Sequence, residues 1–104
     1  MGRFVVKLGP NQYVEWSSVV DAPVTNIMAR HEMIQYLDHQ DGARAFHENR
    51  ERMKRADEHG TSCMAPTSRD DIIQFNRAGE NEKCITLAQI KRRYKRKEDS
   101  NEKV

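Results

Sequence analysis

The sequence predicts an α+β fold, in which an N-terminal antiparallel β-hairpin is followed by about four short-to-medium α-helices. Two segments, Phe4–Leu8 and Tyr13–Val20, are rich in β-branched and aromatic residues and flank a Gly-Pro-Asn-Gln turn, which is typical of a hairpin. Most of the remaining chain is polar, with apolar residues at helical spacing. A length of 104 residues fits one compact domain, 1–97, with a polar tail, 98–104, that we expect to fray.

The predicted hairpin contains the single tryptophan of the chain. Because side chains alternate across a strand, Val14 and Trp16 are expected on one face, and Tyr13, Glu15 and Ser17 on the other. A hairpin alone is marginally stable in water, so helices or a strand from a partner must cover it. Few apolar residues are available to cover this hairpin. We therefore expect an open edge, exposed apolar area and a homo-oligomer.

Four helices are predicted from apolar spacing, capping residues and helix-breaking glycines. Gly60 is expected to end the second helix as a C-terminal cap, and Ser68 to cap the start of the third. Thr86 and Gln89 match a capping box at the start of the fourth. The predicted helical ranges are Ile27–His39, Ala43–His59, Ser68–Gly79 and Thr86–Lys97.

The residues do not predict an enzyme. No nucleophile elbow, P-loop, dinucleotide-binding glycine pattern or zinc-protease motif occurs. The four histidines lack a metal-ligand spacing and the two cysteines form no CxxC motif, so neither a metal nor another cofactor is expected. The apolar runs are too short to span a membrane and no secretory leader is visible. We therefore expect a cytoplasmic protein with reduced thiols.

A basic segment at residues 91–97, KRRYKRK, carries six of the 18 cations and no acid. Without these six the chain would hold 12 cations against 16 acids, so this segment sets the sign of the net charge. Like charges at i,i+4 destabilise a helix, and an anionic partner such as nucleic acid or an acidic face of another copy would relieve that repulsion. A solvated basic helix without a target is the alternative. The predicted polyanion-binding residues are Lys91, Arg92, Arg93, Lys95 and Arg96.

A second candidate site lies in three polar loops: the hairpin exit Trp16–Thr25, the turn Thr61–Ser62 and the helix end Asn76–Gly79. Pro23 disfavours a helical conformation at the preceding residue, so the exit is expected to be extended. The loops are expected to meet, within one chain or across two subunits, around a small anionic ligand. The predicted ligand-binding residues are Tyr13, Trp16, Ser17, Asp21, Thr25, Thr61, Ser62, Asn76, Arg77 and Gly79.

In this candidate site each residue type has a chemical role. An aromatic ring would stack on a base, Arg77 would meet a phosphate or carboxylate with two N–H groups, and the hydroxyls would add hydrogen bonds. Gly79 would let the backbone approach the ligand closely. In the competing interpretation, Trp16 anchors the core and Arg77 caps a helix.

Two sequence blocks, EWSSVVDAPVT at Glu15–Thr25 and NRAGENE at Asn76–Glu82, resemble small, largely uncharacterised accessory proteins of tailed bacteriophages. The resemblance runs from the KLG-x3-Y-x-EWS hairpin through the Gly-Thr-Ser turn at 60–62 to the last helix. Ala29 stands where such proteins are expected to carry a helix-capping hydroxyl, and the basic tail is particular to this chain. The resemblance implies a phage accessory protein in the bacterial cytoplasm, of a kind that often blunts host defence.

Together these observations predict a non-catalytic, phage-encoded binding protein that sequesters a small anionic ligand, such as a nucleotide signal. Two alternatives remain open. The protein would be an inhibitor or adaptor that binds a host protein, or an accessory protein that binds nucleic acid through its basic C-terminal helix. The hairpin edge favours the first alternative, and the basic segment favours the second.

Overall fold

A computed structural model of the protein describes residues 2–63 and 68–95. The elements are β1 (Arg3–Gly9), β2 (Gln12–Ser17), β3 (Ala22–Pro23), α1 (Arg30–Asp41), α2 (Phe46–His59), α3 (Arg69–Gln74) and α4 (Leu87–Arg93). Short 3-10 turns at Ala43–Ala45 and Glu80–Glu82 precede α2 and α4. The predicted α+β class is confirmed: a three-stranded antiparallel sheet is followed by four α-helices.

The sheet has the order β1-β2-β3, with β2 at its centre. Phe4 pairs with Trp16 and Val6 with Val14 across the predicted hairpin, with an irregularity at the turn end of β1. The hairpin exit is extended, as Pro23 predicted, but it also pairs with β2 as the short third strand. Pro23 is tolerated there because an edge strand does not need every N–H group.

Helices bury both faces of the sheet. On one face, Val6, Leu8, Val14 and Trp16 pack with Ile72 of α3 and Ile90 of α4 in one core cluster. The other cluster consists of sheet residues Val5 and Tyr13 with Met33 and Leu37 of α1 and Met53 and Ala56 of α2. Helices of the same chain therefore cover both faces of the sheet, although we expected this apolar cover to be missing.

The outer edge of β1 is also occupied by the chain itself. Ser62 donates its backbone N–H to Val5 O (2.9 Å) and accepts the Val5 N–H on Oγ (2.9 Å). Lys7 donates its N–H to Gly60 O (2.8 Å), and Arg69 Nε donates to Lys7 O (2.8 Å). The prediction of an open edge on the hairpin is wrong along this stretch of β1, because the turn after α2 returns to the strand.

The first helix begins at Arg30, three residues later than predicted. Ile27 and Met28 are extended because their backbones bond elsewhere: Ile27 N–H donates to Tyr94 O (2.7 Å), and Met28 exchanges two hydrogen bonds with Tyr13 (2.8 and 2.9 Å). Ala29 occupies the N-cap and has no side-chain oxygen to cap the helix. The missing acceptor is replaced by Asn11 Oδ1 in the hairpin turn, which accepts the Arg30 N–H (2.8 Å).

The caps of the later helices are confirmed, whereas all three of these helices are shorter than predicted, since α2 begins at Phe46 instead of Ala43. Gly60 ends α2 in the left-handed region (φ 84°), and the hydroxyls of Ser68 and Thr86 each accept an N–H of the following turn (3.2 Å). Helix α3 ends at Gln74 instead of Gly79, and α4 ends at Arg93. The predicted helical contact of Lys91 with Lys95 is therefore absent, while Arg96 and the tail 98–104 lie outside the described residues.

Asn76 explains why α3 ends early. Its side chain is 1% exposed and donates to Ile73 O (2.6 Å) and Ile85 O (2.7 Å), while its Oδ1 accepts N–H groups from Ala78 and Ile85 (3.1 Å each). One amide group thus replaces the helical hydrogen bonds and joins the end of α3 to the segment before α4.

We expect Asn76→Ala to lower the free energy of unfolding by about 2–3 kcal/mol, because buried backbone groups of Ile85 lose their partners. The melting temperature should fall by about 10 °C, measurable by thermal and urea denaturation. Asn26→Ala is the matched control, since Asn26 is exposed. A change of less than about 0.5 kcal/mol in Asn76→Ala would contradict this role of the amide.

Two tyrosine–carboxylate pairs join the sheet to the layer of α1 and α2. Tyr13 Oη donates to Asp57, which also accepts Arg30 Nε (2.9 Å), and Tyr36 Oη donates to the buried Glu15 Oε1 (2.7 Å). Burial, followed by the hydrogen bond to a carboxylate, raises the pKa of each tyrosine to about 12. Burial alone would raise the pKa of Asp57, but the hydrogen bonds from Tyr13 and Arg30 hold that pKa below its usual value.

The protein should lose stability between pH 10 and pH 12. The unfolded chain releases tyrosine protons near pH 10, whereas Tyr13 and Tyr36 hold theirs to about pH 12 in the folded chain. Their contribution is complete below pH 10 and is lost as the pH rises through 12. Urea denaturation from pH 8 to pH 12 measures this loss. The double variant Tyr13→Phe/Tyr36→Phe should show a shallower decline, and an identical decline would contradict the assignment.

Candidate functional site

Two of the three predicted polar loops contact each other. Arg77 donates its backbone N–H to Asp21 O (2.7 Å), and its Nε lies 3.3 Å from Asp21 Oδ2, so the hairpin exit meets the segment after α3. The Thr61–Ser62 turn instead bonds to Val5 at the outer edge of β1, at the other edge of the sheet from β3. Cys63, the residue after this turn, lines a small cavity together with Trp16 and Asp21.

The four hydroxyl-bearing residues predicted to bind the ligand all use their hydroxyls to bond the backbone. Thr25 Oγ1 accepts Glu15 N–H (3.1 Å), Ser17 Oγ accepts Val19 N–H (3.2 Å), and Thr61 Oγ1 donates to Val5 O (3.0 Å). Ser62 Oγ accepts the Val5 N–H. A ligand at this place would have to compete with hydrogen bonds that hold the sheet together.

The two aromatic candidates for stacking are core residues. Trp16 is 1% exposed and Tyr13 is 2% exposed, and they belong to the two core clusters on opposite faces of the sheet. Neither presents an open ring face to solvent. Their placement supports the competing interpretation, in which Trp16 anchors the core.

The remaining predicted residues are held by contacts within the chain. Asn76 is fully hydrogen-bonded, and Arg77 lies between Asp21 and Glu82, with NH1 3.2 Å from Glu82 Oε1. Gly79 does permit a close approach, but the approaching group is the chain itself. A Cβ on Gly79 would lie 2.6 Å from Ile85 Cγ2 and 2.9 Å from Lys83 O.

The cavity lined by Trp16, Asp21 and Cys63 has a volume of about 250 Å³ and is bordered by two carboxylates, Asp21 and Asp71. Arg77, the cation that contacts Asp21, is already neutralised by Asp21 and Glu82. An anion placed here would face uncompensated negative charge. The electrostatics of this cavity therefore disfavour the anionic ligand that the sequence predicts for it.

A second and larger depression, which we call the α4 groove, has Gly79 in its lining. Its volume is about 590 Å³, within the range of small-molecule sites. It separates the loop after α3 from the polar face of α4. Its lining residues are Gly79, Glu80, Asn81, Lys83, Cys84, Ile85, Gln89, Arg92 and Arg93.

The loop that forms one wall of the α4 groove has an unusual backbone. Asn81 and Glu82 both have positive φ (57° and 61°), and Gly79 N–H donates to Lys83 O (2.8 Å) to close the loop. Asn tolerates the left-handed region, whereas Glu rarely adopts it. Consecutive residues in this conformation turn the chain sharply, and Lys83 returns beside α4 as a result.

The cations of the α4 groove are not paired with acids. Lys83, Arg92 and Arg93 form no ion pair within residues 2–63 and 68–95, and neither do the neighbouring Lys91 and Lys95. By contrast, the described arginines before Arg92, with the exception of the exposed Arg44, have protein partners, as in Arg30 with Asp57, Arg50 with Asp38, and Arg69 with strand carbonyls. Unneutralised positive charge is therefore concentrated around α4.

The structure joins residues that the sequence assigned to two separate sites. Gly79, predicted for the small-ligand site, and Arg92 and Arg93, predicted to bind polyanions, line one groove. Sequence reasoning missed Lys83 and Gln89. For Gln89 a signal existed, because it precedes Arg92 by three and Arg93 by four residues and so shares a helix face with them.

No protein-family model, curated protein or solved structure matches this chain. Within the described ranges, no group of three or more histidine, cysteine or acidic side chains is arranged to hold a metal ion. Among the same residues no helix is long and apolar enough to cross a membrane. The ligand preference of the cavity and of the α4 groove therefore follows from their own side chains.

Arg77→Ala separates the predicted ligand role of Arg77 from its structural role. The partly exposed pairs with Asp21 and Glu82 are worth little, so we expect a loss of less than about 1 kcal/mol in unfolding free energy. Binding of tripolyphosphate, measured by calorimetry, should be unchanged because Arg77 does not line the α4 groove. Loss of binding with an unchanged melting temperature would restore Arg77 as a ligand residue.

Proposed function

We propose that this protein is a non-catalytic binding protein that sequesters a small phosphate-bearing ligand of nucleotide size in the α4 groove. The observation that carries the proposal is the meeting of three unpaired cations, Lys83, Arg92 and Arg93, around a groove of about 590 Å³. Two guanidinium groups favour bidentate contacts with phosphate oxygens, and a lysine adds a compact positive charge.

The other groove residues are suited to binding. Asn81 offers an amide donor and acceptor for the neutral part of a ligand, and Gln89 offers its amide N–H groups, because its Oε1 accepts the Thr86 N–H (2.8 Å). Cys84 Sγ donates to Gln74 O (3.0 Å), so the thiol is engaged with the backbone. Among the described lining residues Glu80 is the one acid, and it would oppose an anion. Net attraction from the three cations exceeds this repulsion.

Together with the resemblance to phage accessory proteins, this groove supports a counter-defence role in the bacterial cytoplasm. A protein that holds a nucleotide signal removes it from its receptor without chemical change. The α4 groove has the size and charge for such a ligand, but no aromatic ring lines it. We therefore propose that recognition depends mainly on phosphate groups and amide hydrogen bonds.

Nucleic acid binding is the second candidate, and a specific observation favours it. The unpaired cations continue beyond the groove to Lys91 and Lys95, which would follow an extended backbone of phosphates. Salt dependence separates the two candidates. Each phosphate contact with a single strand contributes about −0.7 to the slope of log K against log salt, so several contacts along a strand give a steep dependence.

One further observation favours both a homo-oligomer and a role as an inhibitor or adaptor. Val19, Val20 and Val24 are 77%, 50% and 39% exposed and form a valine patch at the end of the sheet, which they share with Gly2 and Arg3. A second copy or a host protein would cover this apolar area. The outer edge of β1 is occupied and therefore gives no support for oligomerisation, whereas the valine patch does.

The triple variant Lys83→Gln/Arg92→Gln/Arg93→Gln should bind tripolyphosphate and ATP at least about tenfold more weakly than the unchanged chain, because charge-assisted contacts are lost. Isothermal calorimetry at two salt concentrations measures the loss. Affinity that depends on the presence of the nucleoside indicates a nucleotide ligand. Tighter binding to a single-stranded 20-mer with a steep salt slope would favour nucleic acid instead.

Two control variants sharpen this test. Glu80→Gln removes the one acid of the lining and should strengthen anion binding, which is the opposite sign to the triple variant. Arg44→Gln/Lys54→Gln removes two exposed cations from other helical regions and should have no effect. If these distant changes weaken binding as much as the triple variant, the protein attracts anions by net charge alone, and the groove assignment fails.

We expect the protein to form an oligomer at tens of micromolar, and Val19→Asp/Val20→Asp to dissociate it. The two charges would face each other across a shared apolar interface. Sedimentation velocity measures the change in mass. Phe46→Asp, on an exposed position of α2, is the matched control. A monomeric unchanged chain, or an oligomer that survives both aspartates, would contradict the role of the valine patch.

A further inference from the structure

The small cavity lined by Trp16 and Asp21 has a chemistry that neither the fold nor the α4 groove explains. Its walls include three aromatic rings, from Phe4, Trp16 and Phe75, and two carboxylates, from Asp21 and Asp71. Phe75 is 69% exposed, which is unusual for a large apolar side chain next to a cavity. Ile72, Cys63 and Ser18 complete the lining.

The carboxylates of this cavity differ in their partners. Asp21 is paired with Arg77 Nε at 3.3 Å, whereas the Asp71 side chain has no partner in the described part of the chain. Ser68 Oγ accepts the backbone N–H of Asp71, which fixes its position at the start of α3. An unpaired carboxylate thus stands beside aromatic rings at the entrance of a cavity of about 250 Å³.

Aromatic faces attract cations through their quadrupole, and a carboxylate adds direct attraction. We propose that this cavity binds an organic cation with an ammonium head and an apolar body, such as a choline-type compound or a lysine side chain. Phe75 and Phe4 contact the apolar part, Asp71 contacts the charge, and the buried Trp16 ring closes the cavity wall. The site is separate from the α4 groove and does not depend on the function proposed for it.

Three parts of the cavity wall are held in place by contacts within the chain. Trp16 belongs to the central strand and is part of the core, and Ile72 is buried in α3. The loop that carries Asp21 is held by the Arg77 backbone N–H at 2.7 Å. The exposed ring of Phe75 follows α3 and is the wall most free to adjust around a ligand.

The test uses the single tryptophan as a reporter. Choline chloride should shift the Trp16 indole N–H resonance in a saturable way, with a Kd in the millimolar range expected for a few weak contacts. The neutral isostere 3,3-dimethylbutan-1-ol, at matched ionic strength, should produce no saturable shift. Nα-acetyl-lysine amide is titrated in parallel, and the tighter of the two cations identifies the source of the ammonium group.

Variants locate the charge. Asp71→Asn should weaken choline binding about threefold, which is the magnitude of a partly solvated ion pair. Asp70→Asn should change nothing, because Asp70 is the neighbouring residue, contacts Arg69 and does not line the cavity. Phe75→Leu keeps an apolar wall and should weaken the cation more than it changes the melting temperature.

Three results would overturn the proposal. The first is equal binding of the neutral isostere, which would show an apolar cavity without cation preference. The second is an equal effect of Asp70→Asn and Asp71→Asn, which would show attraction by the overall charge of α3. The third is the absence of any saturable shift with either cation. The groove variant Lys83→Gln/Arg92→Gln/Arg93→Gln should bind choline normally, so the two sites fail or hold independently.

Discussion

The hydrogen bonds along the outer edge of β1 are the constraint on which the rest of the structure depends. Backbone N–H and C=O groups in a strand need partners, and here Gly60 and Ser62 supply them to Val5 and Lys7. This contact fixes the end of α2 against the sheet and brings Arg69 of α3 to the same edge. It also uses the hydroxyls of the Thr61–Ser62 turn, so a turn that looked suited to a ligand instead completes the sheet.

With the sheet closed at β1 and buried on both faces, function is left to the surface around α3 and α4. That surface carries two depressions that differ in charge. Asp21 and Asp71 border a small aromatic cavity. Lys83, Arg92 and Arg93 surround the larger α4 groove. Arg77 is held between Asp21 and Glu82, so it adds no unpaired charge to either depression. The two depressions therefore favour ligands of opposite charge.

Local signals in the sequence predicted the fold class well, and non-local contacts account for what they missed. The hairpin and the caps at Gly60, Ser68 and Thr86 follow from neighbouring residues, and they are confirmed. The late start of α1 depends on Tyr94 and Tyr13, which are distant in sequence. The hairpin exit and the segment after α3 are in contact, yet pattern reasoning had no means of showing that the loop hydroxyls serve the backbone. Joining Gly79 to Arg92 required the turn at Asn81 and Glu82, and the positive φ of Glu82 runs against its conformational preference.

The most direct test of the account is to locate an anion on the folded chain. Backbone amide and arginine side-chain NMR spectra, recorded during an ATP titration, distinguish the α4 groove from the loops that the sequence predicted. If the anion binds in the α4 groove, the resonances of Lys83, Gln89, Arg92 and Arg93 should shift in a saturable way. The resonances of Trp16, Asp21 and Thr61 should stay unchanged. Shifts centred on Trp16, Asp21 and Thr61, or no saturable shift at any residue, would contradict the account.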